Sequence, residues 1–155
     1  MPRNNVRKTM FSYYELAVFE KLEDQCKITP EVLRRDGFGD EKFYHCFVAE
    51  TDQDSRIVAY ALYYYAYSTW KGRVLYMEDL YVKPEFRGKG IGTQLWKAVT
   101  ETGIEKKCIR LQWVVLNWNT PSIEYYKRKG AVDLTATEKW HIFRMNEQEM
   151  KDFVR

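Results

Sequence analysis

At 155 residues, with 45% apolar and 30% charged side chains, the chain has the length and composition of one soluble globular domain, able to bury about two-thirds of its unfolded surface. Its 25 basic and 22 acidic residues leave a net charge of +3, too mild a balance for a nucleic-acid binder, and no basic run alters it. The most apolar stretch, Ile57–Tyr67, is about half the length a membrane-spanning helix needs and is rich in tyrosine. Cys26, Cys46 and Cys108 form no Cys-x-x-Cys pair and are odd in number, so free thiols in a reducing, cytoplasmic compartment are expected. No charged-then-apolar opening resembles a signal peptide, and His45 and His141 have no partners at metal-ligand spacing, so no metal site is expected.

In chain order, residues 1–9 are polar and basic without a period and read as a loose leader to a single domain over 10–155. Between Met10 and Gln25, Tyr13, Leu16, Phe19 and Leu22 recur at helical spacing, with Ala17 widening the face. Thr29-Pro30-Glu31 signals a second helix: an N-cap, a proline at the first helical position and an acid in the first turn. Asp36-Gly37 and Gly39 end it. Phe43–Glu50 reads as a strand. Arg56–Ser68 follows with Val58, Tyr60, Leu62 and Tyr64 on one face and Ile57, Ala59, Ala61, Tyr63 and Tyr65 on the other. Two apolar faces predict a central strand covered on both sides. Trp70-Lys71-Gly72 turns the chain into a strand over Leu75–Val82. Ile91, Leu95, Ala98 and Val99 then stripe a helix that ends at Gly103.

Ile109–Val115 alternates as a further strand. A helix entered through Pro121 carries Tyr125 and Tyr126, gains basic Lys127, Arg128 and Lys129 in its last turn, and stops at Gly130. Val132–Lys139 and Trp140–Met145 read as a closing pair of strands, and Asn146 as the cap of a short final helix. The order predicts a mixed α/β protein. An aromatic share of 16% fits a broad sheet with pockets better than a helical bundle.

The segment between the Leu75–Val82 strand and the next helix carries the chemistry. Arg87-Gly88-Lys89-Gly90-Ile91-Gly92 gathers backbone amides at a helix start, where unpaired N–H groups and the helix dipole both favour a phosphate. It is neither a Walker loop nor the dinucleotide fingerprint, because the Gly-x-Gly-x-Gly spacing fits neither. A few residues upstream, Glu78-Asp79 places two carboxylates in the strand. Successive strand residues point to opposite faces, so the two could serve one site only if a bulge intervened.

Arg87 to Gly92 fits the Arg/Gln-x-x-Gly-x-Gly/Ala signature, and the chain resembles the Gcn5-related N-acetyltransferase superfamily. DGFG at 36–39, FYHC at 43–46, LYMED at 75–79, WNTPSI at 118–123 and YYKRKGA at 125–131 are similar to its spermidine/spermine and thialysine N-acetyltransferase group. The resemblance covers roughly Glu15 to Val154. It implies a mostly antiparallel central sheet flanked by helices, and acetyl-coenzyme A as donor. By that resemblance the pyrophosphate rests on the amides of Arg87, Gly88, Lys89, Gly90, Ile91 and Gly92. The pantetheine arm pairs with Leu80, Tyr81 and Val82, and Asn119, Ser122 and Tyr126 help to hold the cofactor.

The same resemblance assigns chemistry. An alkyl amine has a pKa of about 10.4 and is protonated at pH 7, yet only the free amine attacks a thioester. Glu78 is the expected base or first proton relay, Asp79 the expected amine binder, and Tyr126 the acid that protonates the departing sulfur. Phe19, Glu20 and Trp70 fall where the group lines its amine pocket, an aromatic and acidic wall suited to an alkyl cation.

The sequence departs from the group at its front. No Ile-Arg-x-Ala-like strand appears in Met1–Thr9, so a shortened N-terminal sheet edge is expected. The leading expectation is direct acetyl transfer in a ternary complex to the primary amine of a polyamine, diamine or lysine analogue such as thialysine, by a homodimer. The alternative is a partner subunit that binds acetyl-coenzyme A with little or no activity.

Overall fold

The computed structural model describes residues 6–135, 137–138 and 141–155, with side chains from Ser12 onward. The chain forms two compact units, Met1–Val114 and Val115–Arg155.

The first unit holds helices α1 (Val6–Glu20), α2 (Pro30–Phe38) and α3 (Ile91–Glu105) around strands β1 (His45–Glu50), β2 (Ile57–Ser68), β3 (Gly72–Val82) and β4 (Arg110–Gln112). The sheet order is β1-β2-β3-β4. The β1–β2 and β2–β3 pairs are antiparallel and the β3–β4 pair is parallel, because α3 supplies the crossover that a parallel pair requires. The sheet is therefore mixed, mostly antiparallel and flanked by helices, as the sequence predicts.

β2 is central, and its alternation sorts the core into two layers. Tyr60 packs with Tyr13 of α1, Leu33 of α2, and Tyr44, Cys46 and Tyr81. Ala59, Ala61 and Tyr63 face the other way, toward Leu75, Met77 and the α3 stripe of Leu95 and Val99. α2 starts as its letters require: Thr29 Oγ1 accepts from the Val32 N–H at 3.3 Å and Pro30 occupies the first helical position. Gly37 has a packing reason, since a Cβ there would lie 2.6 Å from the Tyr44 ring. The Tyr44 hydroxyl donates to the Leu33 carbonyl at 2.7 Å and fixes that approach.

Both ends of α1 differ from the sequence reading, and elsewhere in this unit β1 starts at His45 rather than Phe43, β3 at Gly72 rather than Leu75, and α3 runs past Gly103 to Glu105. α1 begins at Val6, so the last residues of the expected leader are helical, while Met1–Asn5 lie outside the described residues. α1 stops at Glu20 rather than Gln25, because Lys21 turns to φ +60° and a short 3₁₀ turn follows over Glu23–Gln25. Among the described residues β1 has one neighbour, β2.

The second unit carries α4 (Thr120–Arg128) and α5 (Glu147–Phe153). Pro121 lies in the first turn of α4, and Gly130 at φ +92° follows its basic last turn. Asn146 occupies the N-cap position of α5, and Lys151 pairs with Glu147 one turn apart. The closing strand pair does not form among the described residues, and β4 ends at Gln112 rather than Val115. A strand needs a ladder partner, and alternation alone supplies none. Ile142 and Phe143 are mostly exposed, so that stretch buries no face in place of a ladder. Ala136, Lys139 and Trp140, which the expected pair included, lie outside the described residues.

Candidate active site

The acid pair sits on a β-bulge. Opposite β2, Asp79 pairs with Leu62 and Met77 with Tyr63, so Glu78 is the extra residue on β3. Met77 lies in the α3-side core, Leu80 and Val82 pack against that same layer, and Tyr81 lies in the α1-side core. A regular strand would send one carboxylate to each layer. The bulge turns both to the α1 side, and each meets a tyrosine from the same face of β2. The Tyr60 hydroxyl donates to Asp79 Oδ2 at 3.3 Å, and the Tyr64 phenol lies within electrostatic reach of Glu78.

Glu20, at the end of α1, joins them. Its carboxyl is held above the usual carboxylate range, by burial first and then by the charge of Glu78. Asp79 is pushed up to about 7 by burial, then by Glu78, with Glu20 adding to the effect and the Tyr60 hydrogen bond opposing it. Burial and Glu78 likewise raise the Tyr64 phenol to about 12. Among the described residues, no lysine or arginine pairs with Glu20, Glu78 or Asp79; nearby Lys83 is bound to Glu15 at 2.9 Å. The structure thus concentrates uncompensated negative charge on one face of the β3 bulge, an arrangement suited to a compact polycation.

Immediately downstream lies the anion cradle. Gly88 and Gly90 adopt φ +75° and +82°, in the left-handed region that favours glycine. A Cβ on either would enter open space with nothing within 4 Å. Gly90 is the N-cap of α3 and has no side chain to cap it, so the first N–H groups of that helix are available to an anion. At Gly92 a Cβ would meet Val82 Cγ2 at 3.2 Å, which keeps the first turn of α3 close to β3. The Arg87 side chain folds back: Nε donates to the Val82 carbonyl at 2.8 Å. Its guanidinium stands 5.1 Å from the Phe19 ring and 5.8 Å from Tyr81. Lys89 Nζ lies 5.0 Å from the Phe86 ring.

Between bulge and cradle, among the described residues, β3 has no ladder partner on its β4 side beyond Tyr76, and the Val82 carbonyl there accepts from Arg87 Nε. The β3–β4 ladder runs only from Val74–Arg110 to Tyr76–Gln112. The Lys83 N–H donates to the Val58 carbonyl, so alternation turns the N–H and C=O groups of Val82 and Leu80 away from β2. An extended amide-bearing chain could add itself to this edge as a strand does.

Phe19, Glu20, Glu78, Asp79, the Leu80–Val82 edge and the glycine loop are therefore grouped at one end of β3. Trp70 is not among them. It is 80% exposed at the β2–β3 turn, and β3 runs about 20 Å from Gly72 to Glu78 at strand rise. In the second unit, Asn119 is the N-cap of α4, where its carbonyl accepts from the Ser122 and Ile123 N–H groups. Tyr126 lies on α4 with its ring 5.6 Å from Tyr125, and burial followed by Tyr125 raises its phenol to about 12. Tyr60 and Tyr64 are site residues the sequence reading missed. In β2 they look like ordinary apolar positions, and only the bulge reveals what they hold.

A mixed sheet with a glycine cradle at the start of α3 is a fold this chain shares with a solved acetyltransferase. The chain is similar to a V. cholerae integron cassette protein (TM-score 0.79, 21% identity, covering 100% of this chain and 94% of that one). It is likewise similar to the aminoglycoside N-acetyltransferase AAC(6')-Iy in complex with CoA (TM-score 0.71, 19% identity, covering 95% and 91%). The Acetyltransferase (GNAT) family pattern matches residues 9–131, and the chain belongs to that family: it is an N-acetyltransferase. A thialysine N-epsilon-acetyltransferase of Bos taurus is 51% identical over 144 residues, spanning 89% of this chain and 85% of the relative.

Proposed function

We propose that this acetyltransferase moves an acetyl group from acetyl-coenzyme A to the primary amine of a small polycation, a polyamine, diamine or lysine analogue such as thialysine, directly within a ternary complex. The observation that carries this reading is the β3 bulge, which sets Glu78 and Asp79 on one face beside Glu20 with no cation among the described residues to neutralise them. The ammonium supplies that neutralisation on binding. Asp79 and Glu20 hold the amine, with the Phe19 ring beside them, and Glu78, the most exposed member of the β3 pair, takes its proton and passes it outward through water. Tyr126 of α4 donates a proton to the departing sulfur.

The cradle fits a pyrophosphate, because the space where Gly88 and Gly90 lack a Cβ is open and the α3 amides face it. Arg87 to Gly92 would hold it, and Leu80 and Val82 would pair with the pantetheine amides. Bound there, acetyl-coenzyme A supplies the activated thioester. Asn119 and Ser122 contribute to the same cofactor site by resemblance. We read 10–155 as a single acetyltransferase domain, and the family match supports that reading over residues 9–131. Three cysteines with no disulfide among them support a reducing, cytoplasmic setting, and a homodimer is the assembly to look for by light scattering.

Gly90→Ala is expected to weaken coenzyme A binding about tenfold by calorimetry while leaving spermidine binding unchanged, since it strains the cradle and leaves the bulge alone. The reading as a whole is tested by coenzyme A release with spermidine, spermine, putrescine, thialysine, lysine and a histone peptide. Turnover is expected with the compact polycations and not with the peptide. Coenzyme A binding without turnover of any amine would instead establish an inactive, cofactor-binding subunit.

A further inference from the structure

We infer that Tyr60 is a positioning residue for the amine site: from the middle of the core it holds Asp79 oriented and charged, and so sets the pH above which the site takes a polycation at full strength. The inference rests on the amine-site reading of the bulge and extends it to a residue no substrate touches.

Tyr60 is fully buried at the centre of β2, so its ring cannot turn to follow Asp79. Tyr13 packs edge-on against it with ring centroids 4.5 Å apart, and Tyr81 lies on its other side at 6.1 Å. The hydroxyl of this clamped ring donates to Asp79 Oδ2 at 3.3 Å. A rigid donor on the inner side of a carboxylate fixes its orientation and favours its ionised form. Everything else around Asp79 opposes ionisation. Glu78 on its own strand and Glu20 from α1 are like charges, and burial adds to them. Tyr13 from α1 and Cys46 from β1 complete the surroundings, and burial raises both, the thiol to about 12. Neither carries charge near neutrality, and Tyr60 itself is raised well above an ordinary phenol. Asp79 is therefore the group of this cluster placed to change charge near pH 7, and Tyr60 is the neighbour that favours its anion.

The direction follows. As pH falls through about 7, Asp79 gains a proton, the face loses a negative charge, and a polycation binds less well. Tyr60→Phe removes that donor and moves the inflection upward.

The test is calorimetric binding of spermidine to the full chain, without acetyl donor, from pH 5.5 to 8.5, together with NMR titration of the Asp79 side-chain carboxyl. Wild type should bind about tenfold more tightly at the upper end than at the lower. Tyr60→Phe should move both the binding inflection and the carboxyl titration up by about one pH unit, weakening binding severalfold at pH 7 and little at pH 8.5. Asp79→Asn should abolish the inflection, and Tyr60→Phe added to it should do nothing more. A pH-independent loss in Tyr60→Phe, or an unmoved carboxyl titration, overturns the inference. If Asp79→Asn leaves spermidine affinity unchanged, the amine-site reading fails, while the carboxyl titration still decides the Tyr60–Asp79 coupling by itself. Should Tyr60→Phe fold poorly, 3-fluorotyrosine at position 60, a stronger donor, should shift the titration downward, and no shift would count against the inference.

Discussion

Glu78→Gln is expected to lower kcat/KM for the amine about a hundredfold or more at pH 7, because two losses coincide. A positioned base contributes about 10²–10⁴ to such a step, and the ammonium also loses a carboxylate of the bulge. The substitution is close to isosteric and Glu78 is exposed, so the fold should persist. It also removes the like charge that helps to hold Asp79 high, and Asp79 should titrate lower in the variant. The diagnostic is the pH profile. The free-amine fraction grows about tenfold per pH unit below the amine's pKa of about 10.4, so raising the pH supplies what the missing base cannot. The gap between variant and wild type should narrow steadily from pH 7 to pH 9.5. A constant, small deficit across that range would leave Glu78 as a contributor of charge and take the proton-acceptor role from it.

Much of the fold was legible because its signals are local and periodic. β2 announces its central place by apolar residues on both faces, and α3 its buried side through Ile91, Leu95 and Val99. Thr29-Pro30 marks the start of α2 in chemistry that needs no tertiary partner. Among the described residues the closing strands do not form, for the opposite reason. Alternation around Ile142 and Phe143 states a preference, but a strand exists only with a ladder, and the pairing partner is not written in the segment itself. The site shows the same division. Arg87 to Gly92 is readable, since the glycines serve their own backbone. That Glu78 and Asp79 share a face was readable only as a condition, because a bulge depends on how β3 registers against β2. Tyr60 and Tyr64 were unreadable as site residues. The Tyr60 hydroxyl acquires its partner from nineteen residues along the chain, and Tyr64 its charged neighbour Glu78 from fourteen, through a register shift that no pattern within β2 records. Trp70 is the converse, a residue assigned to the pocket by position in the sequence and placed at the far end of its hairpin.

Tyr126→Phe is expected to cut turnover about tenfold or more, with coenzyme A affinity nearly intact. Full proton transfer from this phenol to sulfur is steep: burial raises Tyr126 to about 12, whereas a thiol such as that of coenzyme A should resemble cysteine at about 8.5. The difference corresponds to about 5 kcal/mol against transfer in the ground state. The acid proposed above, Tyr126, would therefore act by donating a hydrogen bond that strengthens as charge develops on the departing sulfur, with the proton moving late. That mode predicts two further readouts. Wild-type turnover should show no decline from loss of the Tyr126 proton between pH 8 and 10, since a phenol raised to about 12 stays protonated throughout. Donors whose leaving thiol is more acidic should feel the substitution less, because they need less help to leave. The measurement is kcat for wild type and Tyr126→Phe with acetyl-coenzyme A, alongside calorimetric coenzyme A affinity for each. Unchanged kcat would remove Tyr126 from the acid's role, and a matching loss of coenzyme A affinity would make it a binding residue. A fall in kcat alone, with the alkaline plateau intact in wild type, is the pattern expected of a hydrogen-bond donor that acts in the transition state.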